Sequence, residues 1–140
     1  MKAAWYEKQG EAQEVLQVGD LPEPSLGKGE VRVRVHASGI NPSDTKNRSG
    51  WADLPLRFPQ VIPHQDGAGV IEAVGEGVPS AHVGERVWIY EAQLGRPFGT
   101  AAEFVVLPSE QAVRLPDGTN FVAGACLGVP AMTAHRCVFA

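Results

Sequence analysis

Cys126 and Cys137 are the only thiols in this 140-residue sequence, so their spacing limits what thiol chemistry the chain can do. If they share one helix, their separation of eleven residues puts them roughly 16 Å apart along its axis, too far for a disulfide. Two small buried thiols are expected. Gly67-Ala68-Gly69 opens like a phosphate-binding turn, but Val70-Ile71-Glu72 follows, and G-x-G-x-x-G fails at its third glycine. Gly75-Glu76-Gly77 fails likewise, with Ser80 in that place. Both pairs flank an apolar run, where glycine permits a tight turn or close packing. Asn41-Pro42 reads as the start of a turn, since both residues are common there. Trp51, Leu54, Leu56 and Phe58 fall in a Pro-punctuated loop. Large apolar groups so placed suit either recognition of a flat ring or simple packing of the loop.

The elements that must hold these residues are short strands. Gly 16 and Pro 11 favour many turns, and hydrophobic residues make up 44% of the chain against 20% charged, as in a globular domain. Val31, Val33 and Val35 alternate with Arg32, Arg34 and His36, the period of a half-buried strand with His36 on its face. Gly69–Val74, Arg86–Tyr90 and Ala102–Leu107 give three further strand-like runs, and His82 is expected solvated in a turn. Strands at this spacing predict a barrel or sandwich. After Pro116-Asp117-Gly118 the pattern changes. Thr119 or Asn120 caps a short helix, and Pro130 suits the first position of a second helix from Ala131 onward. No stop signal follows in Val138-Phe139-Ala140, so the chain reads as a fragment that continues. A net charge of −4 with interspersed signs argues against partners such as nucleic acid or an anionic membrane. The first ten residues lack an apolar signal core and no apolar stretch reaches about 18 residues, which points to a cytoplasmic protein.

Six strings, in order, resemble the medium-chain dehydrogenase/reductase superfamily, specifically its quinone oxidoreductase (zeta-crystallin-like) branch. They are Ala37–Thr45, Arg48-Ser49-Gly50, Asp66–Gly75, Val83–Val87, Gly99–Phe104 and Leu127–Ala134. The resemblance implies a mainly β fold, a GroES-like, partly open β-barrel with short helices. Residues 1–118 would form the catalytic barrel domain, and 119–140 a helical segment leading to an absent Rossmann domain. It further implies an NADPH-dependent, zinc-independent enzyme passing hydride to a quinone or related electron-poor acceptor, homodimeric at full length, with the 140-residue piece inactive by itself.

Zinc-dependent relatives carry metal ligands at positions that match Asn41, Gln65 and Val129 here, while Asp66 keeps an acidic neighbour and His64 lies one residue off. Two amides and an aliphatic group do not replace the thiolate and imidazole set that zinc requires, so no metal is expected. By resemblance, Asn41 is the catalytic residue near the acceptor oxygen, and Asn41, Lys46 and Thr133 border the cofactor. Trp51 and Gln65 belong to the substrate pocket. Lys46 stands where close relatives often have Tyr, and it either binds a cofactor phosphate or reaches solvent. Thr133 could instead bond back to its own helical turn. An enone or enoyl-thioester reductase of the same superfamily is the alternative. A non-enzymatic GroES-like module is another, and it would be expected to end with the barrel.

Overall fold

A computed structural model describes residues 1–139; Ala140, part of the expected apolar end, lies outside the described residues. The period-two valine run becomes the long strand β3, numbered here after β1 (Lys2–Trp5) and β2 (Gln17–Asp20). β3 spans Glu30–Gly39 and buries Val31 and Val33 while Arg32 and Arg34 face outward. Fully burying such a side chain contributes roughly 1.5–3 kcal/mol, so the alternation fixes which face turns inward. β3 pairs with β4 (Asp66–Val74) on one side and β6 (Phe104–Pro108) on the other. β5 (Arg86–Ile89) and β7 (Ala112–Arg114) extend the sheet, giving the order β6-β3-β4-β5-β7, antiparallel throughout. No ladder joins β6 to β7 among the described residues, so the sheet stays partly open. Its inner face is one cluster of Val31, Val33, Ile71, Val87, Ile89, Val105 and Leu107.

The four expected strand runs are all present, and β4 begins three residues earlier than its apolar run suggests. β1, β2 and β7 were not expected, because strands of four, four and three residues are too short to show a period. The N-terminal pair β1–β2 is tied to the rest by bridges from Ala3 to Ala102 and from Tyr6 to Val61. Helices are short: α1 (Ala12–Val15), α2 (Pro42–Ser49), α3 (Phe121–Gly124) and α4 (Met132–Phe139). Asn120 caps α3, its side chain accepting from the Ala123 N–H at 2.8 Å. The second C-terminal helix starts differently from expectation. Pro130 lies inside a π-helical turn, Leu127–Ala131, and α4 begins only at Met132. No described helix is long and apolar enough to cross a membrane.

The expectation of two buried thiols is corrected: Cys126 and Cys137 are both exposed. α4 buries none of its described residues, so its apolar content does not shelter Cys137. His36 does lie on an exposed strand face, stacked on Phe121 with ring centroids 4.4 Å apart. His82 is half-exposed and pairs with Glu85 at 2.9 Å.

Candidate functional site

Asn41 closes β3's run into α2, and the local sequence explains the helix. Pro42 occupies the first helical position, Asp44 sits in the first turn, and Lys46 and Arg48 lie in the last. Gly50 ends it with φ +76°, a left-handed conformation that glycine adopts without penalty. Asp44 reaches back so that its Oδ2 accepts from the Asn41 N–H at 2.7 Å. Asn41-Pro42 therefore starts a helix and not merely a turn. Pro42–Ser49 contains no large apolar residue, so periodicity could not reveal it; the Asn-Pro-x-Asp capping pattern could have.

The Asn41 side chain turns into the protein and is 5% exposed. Its Nδ2 donates to Asp66 Oδ2 at 2.8 Å. Asp66, fully buried at 0%, also accepts from the Val129 N–H, 3.0 Å from each carboxylate oxygen. One carboxylate thus joins the end of β3, the start of β4 and the π-helical turn. Gly128 is small for this reason: a Cβ there would stand 2.2 Å from Asp66 Oδ1. Burial pushes the Asp66 carboxyl above its ordinary range, opposed by the bonds from Asn41 and Val129.

Asp44 shares the site and is 4% exposed, with its Oδ1 buried and without a hydrogen-bond partner. Burial, helped by the charge of Asp66, pushes it up to about 6. The folded state therefore holds this proton more tightly than the unfolded chain, whose value is near 3.8. The resulting stability is fully present below the unfolded value and is lost as pH rises through about 6, by at most about 3 kcal/mol. Asp44→Asn is expected to flatten the fall in melting temperature between about pH 4 and pH 7. An unchanged slope would place the titrating group elsewhere.

Beside this junction, Thr100 Oγ1 donates to the Asp66 carbonyl, Ser38 Oγ lies 2.8 Å from Thr100 Oγ1, and His64 Nδ1 lies 2.8 Å from Ser38 Oγ. Thr100 spends its proton on the carbonyl, so Ser38 must donate to Thr100 and His64 Nδ1–H to Ser38. Burial holds His64 below its ordinary value, favouring the neutral ring. The chain also secures His64 at φ +82°, a conformation costing a non-glycine residue about 1–3 kcal/mol.

Two clefts flank the consecutive residues Gln65 and Asp66. The first, about 320 Å³, lies under the Leu54–Phe58 loop and is lined also by Tyr6 and Gln65. The second, about 290 Å³, is lined by Val129 and Thr133 with Glu91 and Arg136. The residues singled out from sequence thus divide. Asn41 and Val129 meet at Asp66, Thr133 opens on the Val129 side, and Gln65 opens on the other. Lys46 and Trp51 stand apart from both linings, with Lys46 Nζ 4.6 Å from the Trp51 ring centroid and Trp51 57% exposed. Leu56 and Phe58 pack on the small core of Tyr6, Val15 and Val61, so their loop is packed and also walls a cleft. Sequence reasoning missed Tyr6, whose cleft position follows from the β1 bridge to Val61.

The donors at the zinc-ligand positions do not suit a metal. Asn41 Nδ2 is engaged by Asp66, Gln65 Oε1 accepts from the Gln93 N–H at 3.0 Å, and Val129 is aliphatic. Among the described residues no three His, Cys, Asp or Glu converge. The glycine pairs serve packing: a Cβ at Gly69 would lie 2.0 Å from the Arg34 carbonyl oxygen.

A mainly β, partly open antiparallel sheet with short helices is the fold expected of a GroES-like domain. Residues 27–117 match the alcohol dehydrogenase GroES-like domain, and the chain belongs to that family. It is 36% identical to the quinone oxidoreductase of Rattus norvegicus over 127 residues, covering 90% of this chain and 37% of that protein. It is 37% identical over 124 residues to the synaptic vesicle membrane protein VAT-1 homolog of the same organism, covering 89% of this chain and 29% of that one. Among solved structures it is similar to the Escherichia coli quinone oxidoreductase complexed with NADPH. The TM-score is 0.85 and the identity 26%, over 99% of this chain and 40% of that one. The chain therefore spans well under half the length of these relatives, and the mainly β, GroES-like fold expected from sequence is the fold observed.

Proposed function

We propose that this chain is the barrel half of an NADPH-dependent, zinc-independent reductase that delivers hydride to a quinone or a related electron-poor acceptor. The observation that carries the reading is the donor set at Asn41, Gln65 and Val129, two amides and an aliphatic group within a dehydrogenase-family fold. An acceptor that is already electron-poor needs no metal to polarise it; it needs positioning and a fixed donor beside the oxygen that gains charge. The Asp66 carboxylate fixes the Asn41 amide in orientation, so its dipole is set before any reaction. Val129 and Thr133 would face the nicotinamide from the second cleft and Gln65 the acceptor from the first, and hydride transfer requires the two clefts to meet beside Asn41 and Asp66 in the full-length protein. NADPH, when bound, supplies the hydride, and its phosphates belong mainly to a domain outside residues 1–140. Lys46 would serve a cofactor phosphate only by leaving the Trp51 ring, and Trp51, outside both cleft linings, would reach a substrate only by moving toward the first cleft. Residues 1–118 act as the catalytic barrel domain and 119–140 as the lead into the nucleotide-binding domain, in a cytoplasmic homodimer.

The test uses the full-length parent protein purified without added metal. NADPH-dependent reduction of 1,4-naphthoquinone is expected, and it should persist after strong chelation. Stoichiometric zinc whose removal abolishes turnover overturns the zinc-independent part. Turnover of enoyl-thioesters alone moves the assignment to the enone branch, and no turnover of either favours a non-enzymatic module. The 140-residue chain alone is expected to reduce nothing.

A further inference from the structure

The cleft under the Leu54–Phe58 loop mixes apolar side chains with the Tyr6 phenol, side-chain amides and the cations Arg57 and Arg96. No Asp or Glu lines it. Tyr6 forms part of its floor, and although only 3% exposed it is in the lining. The ring is clamped by Val15 and Val61, with Leu56 and Phe58 against it, and its backbone exchanges both hydrogen bonds with Val61 at 3.0 and 2.9 Å. Its hydroxyl finds no hydrogen-bond partner among the described residues, yet it is not sealed off. The sealed, unpartnered side-chain atoms are Trp5 Nε1, Arg32 Nε and Asp44 Oδ1. A buried tyrosine hydroxyl ordinarily has a partner, so one left open to a cavity is a donor waiting for an occupant.

Gln65 supplies a second such group. Its Oε1 is committed to the Gln93 N–H and its backbone carbonyl to the Ala92 N–H at 2.9 Å, which leaves the amide Nε2 as the free end. The cleft therefore offers a phenolic O–H, amide N–H groups and arginine cations beside apolar side chains, which suits a largely apolar ligand that carries acceptor oxygens. We infer that the Tyr6 hydroxyl is a substrate-contacting residue, donating to a carbonyl oxygen of the conjugated acceptor, with the Gln65 amide as the neighbouring donor. This rests on the reductase reading above. From α2, Asp44 and Arg48 are the charged groups that act on Tyr6; burial and the Asp44 charge push the phenol up, and Arg48 opposes them. The phenol thus keeps its proton, and remains a donor, through neutral pH.

The experiment compares the full-length parent with its Tyr6→Phe variant in NADPH-dependent reduction of 1,4-naphthoquinone. Phenylalanine keeps the ring and its packing, so the melting temperature should hold while kcat/KM falls about tenfold or more. If the variant folds poorly, Tyr6→3-fluorotyrosine retains shape and hydroxyl but acidifies the phenol. Its turnover should then decline at a lower pH than the wild type's, which a purely structural ring would not cause. A wild type that reduces quinone alongside a Tyr6→Phe variant within about twofold of it overturns the Tyr6 assignment and leaves the reductase reading standing. An unmoved pH profile for the fluorotyrosine variant does the same. A wild type that reduces no quinone overturns both.

Discussion

Gly128→Ala is expected to cost the protein about 3–5 kcal/mol of stability, because the new methyl has nowhere to go. Its Cβ would lie 2.2 Å from Asp66 Oδ1 and 3.0 Å from the Ile89 carbonyl oxygen. Asp66 cannot swing aside freely: both its oxygens are held by the Val129 N–H, and one also by Asn41. Displacing the carboxylate leaves a buried charge and a buried amide short of partners, which adds to the steric cost. Urea unfolding should show a lower midpoint with an unchanged slope. The coupling gives a sharper test. In an Asp66→Ala background the obstructing carboxylate is gone, so adding Gly128→Ala should cost far less than it does alone. Additive losses would show that the two residues do not meet.

In the full-length parent, Asn41→Ala is expected to lower kcat for quinone reduction. Loss of one donor to a developing oxyanion raises the barrier by about 2.7–4 kcal/mol, less if water reaches the cleft. Asn41→Asp should be worse still, and with a pH signature. It would set a third carboxylate beside Asp44 and Asp66, both already pushed upward by burial. Repulsion raises folded-state values further above those of the unfolded chain, so the variant should be most stable in acid and lose stability as pH rises toward neutral. Melting temperatures across that range, with kcat for each variant, decide the matter. If both variants keep wild-type kcat and stability, Asn41 is only the cap of α2.

What the sequence made legible and what it hid follow from range. The Val31-Val33-Val35 alternation revealed β3 because a strand buried on one face writes its own period. β1 and β7 left no such mark, since strands of four and three residues are too short to show a period. α2 was hidden from an apolar count yet visible in its caps. The site divides in the same way. The absence of zinc-type ligands at Asn41, Gln65 and Val129 is a matter of residue identity and could be read directly. That Asp66 also holds Asn41 and reaches Val129, 63 residues further along the chain, is a matter of tertiary contact. The cysteines show the opposite error: free thiols are commonly buried, but Cys126 and Cys137 are both exposed, and α4 does not shelter Cys137.

The pairing of Ala3 with Ala102, together with the bond from the Glu103 N–H to the Lys2 carbonyl, has a consequence for how the chain is made. β1 can pair with β2 early, but its bridge to Ala102 has to wait until that distant segment has been made. At synthesis rates of about 5–20 residues per second, that wait is on the order of ten seconds. β3 faces a similar delay, since its partner β6 follows long after β4. Through that interval the nascent protein presents Val31 and Val33 with one sheet edge unmatched, a template for a neighbouring copy on the same message. Arg32 and Arg34, alternating with those valines, place charged side chains on that temporary edge, with Glu23 and Glu72 as their ion-pair partners. Substituting both with neutral residues should therefore lower the yield of properly folded protein during translation more than it lowers the stability of the finished molecule, which a comparison of refolded and freshly translated material would reveal.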